Sequence, residues 1–107
     1  MRPARSATRL VLIPSYNPGR VVFATVEAAL RRWNPVWVIV DGSTDGTSGE
    51  LQRIAAADSA LRVIVLPGNT GKGAAVQLGL ELAAREGYSH ALTMDSDGQH
   101  PAELIPA

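Results

Sequence analysis

Two patterns of hydrophobic positions alternate along this 107-residue chain. Short apolar runs occupy residues 10–13, 36–40, 61–66 and 91–94, and the first three are rich in β-branched residues. Runs of this length and composition are typical of buried strands. The pattern therefore predicts four strands, separated by longer segments of a different period.

The longer segments show the period of amphipathic helices. Over residues 19–33, apolar side chains recur at three- and four-residue spacing, as one buried helical face requires. A second helix is predicted over residues 47–57, with Asp45 capping its first turn. A third is predicted over residues 73–86, ended by Gly87 in the left-handed conformation. Its predicted inward positions are Ala75, Leu78, Leu82 and Ala83.

The alternation of strands and helices determines the fold class. Parallel strands joined through helices form right-handed crossovers, and the helices cover both faces of the sheet. We therefore predict a Rossmann-like α/β fold with a parallel sheet of about four strands in the order 3-2-1-4. Ligands of such sheets bind beyond the carboxyl ends, where the first and fourth strands meet. This rule selects the loops at residues 14–17 and 95–97.

Composition excludes several function classes. Hydrophobic residues make up 46% of the chain and charged residues 19%, as in an ordinary globular domain. Ten Lys and Arg residues balance ten Asp and Glu residues, so we expect no nucleic-acid partner. Because the chain has no cysteine, a metal would need oxygen or histidine ligands, and Mg²⁺ or Mn²⁺ is the natural candidate.

The N-terminal region indicates how the chain is organised and where it resides. We expect residues 1–8 to be a flexible N-terminus and residues 9–107 to form one domain. The apolar run at residues 10–13 is far shorter than a signal sequence or a membrane span. This predicts a cytoplasmic chain.

Paired carboxylates carry the strongest chemical indication. Asp95 and Asp97 follow a buried strand one residue apart, and they would repel each other unless they shared a cation. A divalent metal held there keeps open positions for phosphate oxygens. The alternative is structural, with Asp97 as a turn residue before Gly98 and Asp95 as a helix cap.

Two further loops offer candidate residues with structural alternatives. Asp41 ends the second strand before Gly42, where it can accept a hydrogen bond from a base or a ribose or serve as an ordinary turn residue. Lys72 lies beside a helix N-terminus, but its loop lacks the residues of a Walker or dinucleotide-binding motif. It can attract an anion or simply belong to a tight connection. Tyr16 can stack on a base or pack against its neighbours.

Four motifs together resemble those of the family-two glycosyltransferases in order and spacing. They are Ile13-Pro14-Ser15-Tyr16-Asn17, Val40-Asp41-Gly42-Ser43-Thr44-Asp45-Gly46-Thr47, Asn69-Thr70-Gly71-Lys72-Gly73 and Asp95-Ser96-Asp97-Gly98-Gln99-His100-Pro101. The resemblance extends over residues 10–101. The third and fourth motifs are most similar to those of the branch with dolichyl-phosphate mannose synthases and bacterial polyprenyl-phosphate glycosyltransferases.

The resemblance implies a GT-A fold and an inverting sugar transfer from a UDP- or GDP-linked donor. It implies that nucleotide-binding residues are Pro14, Ser15, Tyr16, Asn17, Asp41, Gly42, Lys72, Asp95 and Ser96, and that metal ligands are Asp95, Asp97 and Gln99. The acceptor stays open between a lipid phosphate and a polysaccharide or protein, and a lipid acceptor would bring the chain to the inner membrane face.

One departure from the family concerns the end of the chain. Family members continue well past the fourth motif, whereas here residues 101–104 are predicted to open a helix that is then cut off. We therefore expect a truncated donor-binding half, which self-associates or pairs with a chain that supplies the acceptor half. The alternatives are a non-catalytic nucleotide-sugar-binding module and a plain Rossmann-like domain.

Overall fold

A computed structural model describes residues 4–17, 19–42, 46–68, 71–94 and 101–106, with Lys72 and residues 101–106 described by their backbone. Strands and helices alternate through most of the chain. They are β1 (Arg9–Ser15), α1 (Val21–Arg32), β2 (Val36–Asp41), α2 (Thr47–Ala57), β3 (Leu61–Leu66), α3 (Lys72–Arg85), β4 (His90–Met94) and β5 (Pro101–Pro106). Every strand and helix predicted before residue 95 is present, within two or three residues of its predicted limits.

The strands form one sheet in the order β3-β2-β1-β4-β5. The first four are parallel, which confirms the predicted order 3-2-1-4. The register pairs Val11 with Val36 and also with Leu92, so β1 is the central strand of the parallel part. The carboxyl ends of β1 and β2 therefore lie side by side.

The prediction of a helix after residue 100 is wrong. Residues 101–106 form β5, which pairs antiparallel with β4 from His90 opposite Pro106 to Met94 opposite Pro101. Proline is as acceptable at the first position of a strand as in the first turn of a helix. The local pattern is thus ambiguous, and pairing with the free edge of β4 decides it.

The core consists of two layers, one on each face of the sheet. On one face, Val11 and Ile13 of β1 pack with the buried residues of α1 and α2. On the other, Leu10 and Leu12 pack with Trp37 and α3. Alternate residues of the same strand therefore serve both layers, as expected for a sheet buried on both sides.

Helix α3 approaches the sheet through its smallest side chains. Ala75 and Ala83 are buried, and an added Cβ at Gly79 would lie 2.9 Å from both Leu12 methyl carbons. Leu78, which we predicted to face inward, is 45% exposed. The prediction was wrong because a glycine, which adds no hydrophobic side chain to the pattern, occupies the position of closest approach.

The structure describes one of the two predicted helix-end residues. Gly87 has a φ of 93° and follows α3, as predicted. The Gly87 N–H donates to the Ala84 carbonyl and the Tyr88 N–H to the Ala83 carbonyl, which is a Schellman motif. The position before α2 is Gly46, and Asp45, our predicted cap, lies outside the described residues.

The segment before β1 is hydrogen-bonded to two neighbouring loops. The Ser6 N–H donates to the Asn34 carbonyl at 2.7 Å, and the Ser89 N–H donates to the Thr8 carbonyl at 2.8 Å. The flexibility expected of residues 1–8 stays a prediction. Within the described part of the chain, no helix has the length and apolar character needed to cross a membrane.

Candidate functional site at the carboxyl edge of the sheet

The predicted nucleotide-binding residues of the first two motifs lie at one edge of the sheet. Pro14 and Ser15 end β1, and Asp41 ends β2. Ser15 pairs with Val40, which places it beside the residue preceding Asp41. The two polar residues therefore end neighbouring strands at the same edge, with Ser15 on the face of Val40 and Asp41 on the opposite face.

Ser15 is buried but has no hydrogen-bond partner for its hydroxyl among the described residues. Its exposed fraction is 4%, and the Oγ atom is unpaired. A buried hydroxyl without a partner costs about 1–3 kcal/mol, so most such groups in proteins are paired. The described residues thus leave an unsatisfied hydroxyl at the carboxyl end of the central strand.

The chain leaves this edge through Tyr16 and Asn17. Tyr16 is 51% exposed, so its ring does not pack into the core. About half of its surface is accessible, so part of the ring is open to stacking on a planar ligand, and the choice between stacking and packing stays a prediction. Asn17 has a φ of 42°, a left-handed conformation that Asn tolerates better than most residues, and it turns the chain toward α1.

Asp41 is the buried carboxylate of the site within the described residues. It is 3% exposed, and its Oδ2 atom accepts a hydrogen bond from the Gly71 N–H at 2.8 Å. Gly71 is the residue before α3 and lies 30 positions further along the chain. Gly42 follows Asp41 with a φ of 70° and turns the chain away from the sheet. The carboxylate thus links two loops at the same edge.

Lys72 is the first residue of α3, directly after Gly71. Its backbone is therefore at the candidate site, as predicted from its place beside a helix N-terminus. The link between Asp41 and Gly71 was missed from the sequence. The local sequence indicates this link only through Gly71 itself. A glycine directly before a helix has no side chain to cap the helix N-terminus, so another group can bind there.

The predicted metal-binding motif lies outside the described residues. Asp95, Ser96, Asp97 and Gln99 follow β4, which ends at Met94 beside β1. No group of three or more His, Asp or Glu side chains comes together within the part of the chain that the structure describes. The metal ligands therefore stay predictions.

A mostly apolar groove of about 600 Å³ lies between α1 and strands β1 and β4. Val11, Ala29, Trp33, Leu92 and Met94 contribute to its walls. It contains none of the predicted site residues that the structure describes. We do not assign the nucleotide to this groove.

Comparison with known proteins agrees with the family resemblance of the sequence motifs over most of the chain. Residues 10–107 match the model of Glycosyl transferase family 2. Polyprenol monophosphomannose synthase of Mycolicibacterium smegmatis is 35% identical over 100 residues, covering 90% of this chain and 37% of the relative. Undecaprenyl-phosphate mannosyltransferase of Micrococcus luteus is 33% identical over 100 residues, covering 91% and 41%. The chain thus spans well under half the length of these relatives.

Solved structures share the fold. The mannosyltransferase PcManGT from Pyrobaculum calidifontis, in complex with GDP-Man and Mn²⁺, superposes with a TM-score of 0.69 at 22% identity over 88% of this chain and 28% of its own. The structure of TarS from S. aureus gives a TM-score of 0.64 at 24% identity over 84% of this chain and 16% of its own. With the sheet order and the family match in agreement, the chain belongs to glycosyl transferase family 2.

Proposed function

We propose that the chain is the donor-binding region of an inverting glycosyltransferase that transfers a sugar from a nucleotide diphosphate to a polyprenyl phosphate. The observation that carries the proposal is the buried Ser15 hydroxyl, which has no hydrogen-bond partner among the described residues and lies at the carboxyl edge where such sheets bind nucleotides. The exposed Tyr16 ring at the same edge is suited to stack on the base.

The donor and acceptor are inferred from what the similar proteins are named for. One relative is named a polyprenol monophosphomannose synthase and another an undecaprenyl-phosphate mannosyltransferase. One solved neighbour is in complex with GDP-Man and Mn²⁺. We therefore infer a GDP-linked sugar as the first donor to test, with a UDP-linked sugar as the alternative. A polyprenyl phosphate is the first acceptor to test.

The reaction is a displacement at the anomeric carbon of the donor sugar. An acceptor oxygen forms the new bond to that carbon while the bond to the nucleoside diphosphate breaks, which inverts the configuration. Asp95, Asp97 and Gln99 would hold Mg²⁺ or Mn²⁺, and the metal would neutralise the departing diphosphate. In this proposal Ser15 and Tyr16 bind and orient the nucleotide.

Calorimetric titration with GDP and UDP, each with and without Mn²⁺, tests the proposal. We expect one nucleotide to bind in a metal-dependent manner, and Asp97→Ala to abolish the metal dependence. Ser15→Ala is expected to weaken binding about tenfold, because one hydrogen bond of roughly 1.4 kcal/mol is lost.

A matched control and a second assay separate the alternatives. Ser89→Ala removes an exposed hydroxyl at the opposite edge of the sheet and should leave nucleotide affinity unchanged. Metal-dependent binding without sugar transfer to a polyprenyl phosphate would favour the non-catalytic binding module. Absence of nucleotide binding under all conditions would refute the proposed function.

For localisation, we propose the cytoplasm, at the inner membrane face where a polyprenyl phosphate acceptor would lie. Cell fractionation with antibody detection measures this directly. Recovery of the chain in the soluble fraction alone, unchanged by added polyprenyl phosphate vesicles, would contradict membrane association.

A further inference from the structure

Strand β3 forms one edge of the sheet, and its outer side pairs with no other strand in the part of the chain that the structure describes. Its inner side pairs with β2 along the whole strand. There the Val36 N–H donates to the Ala60 carbonyl at 2.8 Å. Because backbone groups alternate in direction along a strand, every second residue after Ala60 also faces β2. The N–H and C=O groups of Leu61, Val63 and Val65 therefore face outward.

This edge lacks four features by which natural edge strands avoid pairing with other molecules, namely a very short strand, proline, a bulge and a charged side chain at the edge. β3 has six residues, contains no proline and keeps a regular register with β2. Its one charged side chain, Arg62, is bonded to Glu86 at 2.6 Å and lies over the Trp37 ring, 4.7 Å from its centroid. That guanidinium is engaged on the α3 face, so β3 is open to pairing along its edge.

The side chains along the edge are apolar on both faces of the sheet. Val63 packs against the layer with α1 and α2, and Ile64 packs against the layer with α3. Val65 alternates to the same side as Val63 and is 46% exposed. A partner strand would remove this remaining apolar surface from water, which is favourable.

A second copy of β3 fits this edge in one antiparallel register. When Val63 lies opposite Val65 of the second copy, each such pair exchanges two hydrogen bonds, and the twofold axis makes two such pairs. A register displaced by two residues in either direction places one of these valines opposite Leu61 or Pro67. The Leu61 N–H is already bonded to the Asp58 carbonyl at 3.1 Å, and proline has no N–H. Only the first register therefore pairs every N–H and C=O group of both valines.

The same register is favourable for the side chains. It places Val63 beside Val65 of the second copy on one face and Ile64 opposite its own counterpart on the other. Such pairs of β-branched side chains stabilise paired strands. Arg62 lies opposite Leu66 of the second copy, so the two guanidiniums do not meet. We infer that β3 pairs antiparallel with β3 of a second copy, which joins two five-stranded sheets into one continuous sheet.

A second copy is the fitting partner because the edge complements itself in hydrogen bonds, side chains and charge. The nucleotide site that we propose lies elsewhere, since Ser15 ends β1, two strands from β3. Dimer formation is therefore independent of nucleotide binding, and either can fail in experiment without the other.

Sedimentation velocity of the whole 107-residue chain, without nucleotide or metal, tests the inference over about 1–300 µM protein. We expect a reversible equilibrium between monomer and dimer. Val65→Lys places a charge on the edge and should raise the dissociation constant of the dimer at least about tenfold. A wild-type chain that stays monomeric over this range would overturn the inference, and so would a dimer that Val65→Lys leaves unchanged.

Leu78→Lys is the matched control. Leu78 is 45% exposed, close to the 46% of Val65, but it lies on α3 and not on the edge. The same charge there should leave the dimer intact, and circular dichroism checks that both variants fold. If Val65→Lys does not fold, hydrogen exchange of the wild-type chain takes its place. The Val63 and Val65 amides should gain protection at least about tenfold from low to high protein concentration, and no gain would overturn the inference.

Engineered cysteines test the register, because the chain has no cysteine of its own. In Ile64→Cys the two cysteines lie directly opposite each other, with Cα atoms about 4.5 Å apart, which is close enough for a disulfide. In Val65→Cys they lie diagonally, about 7–8 Å apart, which is too far. We expect mild oxidation to cross-link dimers of Ile64→Cys but not of Val65→Cys. A cross-link in Val65→Cys alone, or in neither variant, would overturn the inferred pairing.

Discussion

Replacing Gly71 and Gly73 separately with alanine should change stability in opposite directions. Gly71 precedes α3 with a φ of 90°, whereas Gly73 lies in the first turn of α3 without a positive φ. At either position, an added Cβ would have no heavy atom of the described residues within 4 Å. Steric clash therefore contributes to neither variant, and the two differ in backbone conformation alone.

The magnitude follows from two terms. Alanine reduces the conformational freedom of the unfolded chain, which stabilises both variants by about 0.4–1 kcal/mol. At Gly71 the native backbone is strained for any residue with a Cβ, which costs about 1–3 kcal/mol. The difference between the two variants isolates that strain, and Gly73→Ala should be the more stable of the two by about 1–3 kcal/mol.

Thermal and urea unfolding followed by circular dichroism measures both variants against wild type. For a domain of this size each kcal/mol shifts Tm by about 4–8 °C, so the expected difference is well above experimental error. Gly73→Ala should raise Tm slightly and Gly71→Ala should lower it. Equal Tm values, or a higher Tm for Gly71→Ala, would refute the argument that the conformation before α3 requires glycine.

Three further substitutions test the core, a helix end and the N-terminal segment. Leu12→Ala removes a fully buried side chain and should cost about 2–5 kcal/mol in urea unfolding, and a cost below about 1 kcal/mol would contradict its central place in the core. Gly87→Ala forces a Cβ into a φ of 93° and should lower stability by about 1–2 kcal/mol, measured by Tm, whereas an unchanged Tm would argue against the helix-ending motif. Trp33→Phe loses the hydrogen bond from Nε1–H to the Arg9 carbonyl at 3.0 Å. It should lower the free energy of unfolding by about 0.5–1.5 kcal/mol, measured by circular dichroism, and a gain in stability would contradict the bond.

Local periodicity was sufficient to predict most of the fold. Each of the four apolar runs is long enough to form one strand, and each helix between them has a recognisable apolar face. The order of the parallel strands then followed from the handedness and packing rules of such sheets. These features depend on neighbouring residues or on general topology, so no knowledge of distant contacts was needed.

The features that were missed depend on distant contacts. The strand at residues 101–106 forms because β4 offers a free edge, and its own sequence does not distinguish a strand from a helix start. Leu78 is exposed because α3 turns Gly79 toward Leu12, a close approach that a search for apolar side chains overlooks. The bond between Asp41 and Gly71 joins residues 30 positions apart.

Asp41 and Ser15, the two buried polar side chains at the carboxyl edge, differ in whether the described residues supply a hydrogen-bond partner. Asp41 is buried, but its bond to Gly71 offsets part of its desolvation, so the fold itself gives it a role. Ser15 is equally buried, and its hydroxyl has no partner in the described residues, so the fold gives it none. A ligand that accepts from or donates to this hydroxyl would recover part of that cost. Ser15→Ala is therefore the sharper test of the proposed nucleotide site, because the described residues give the Ser15 hydroxyl no other role.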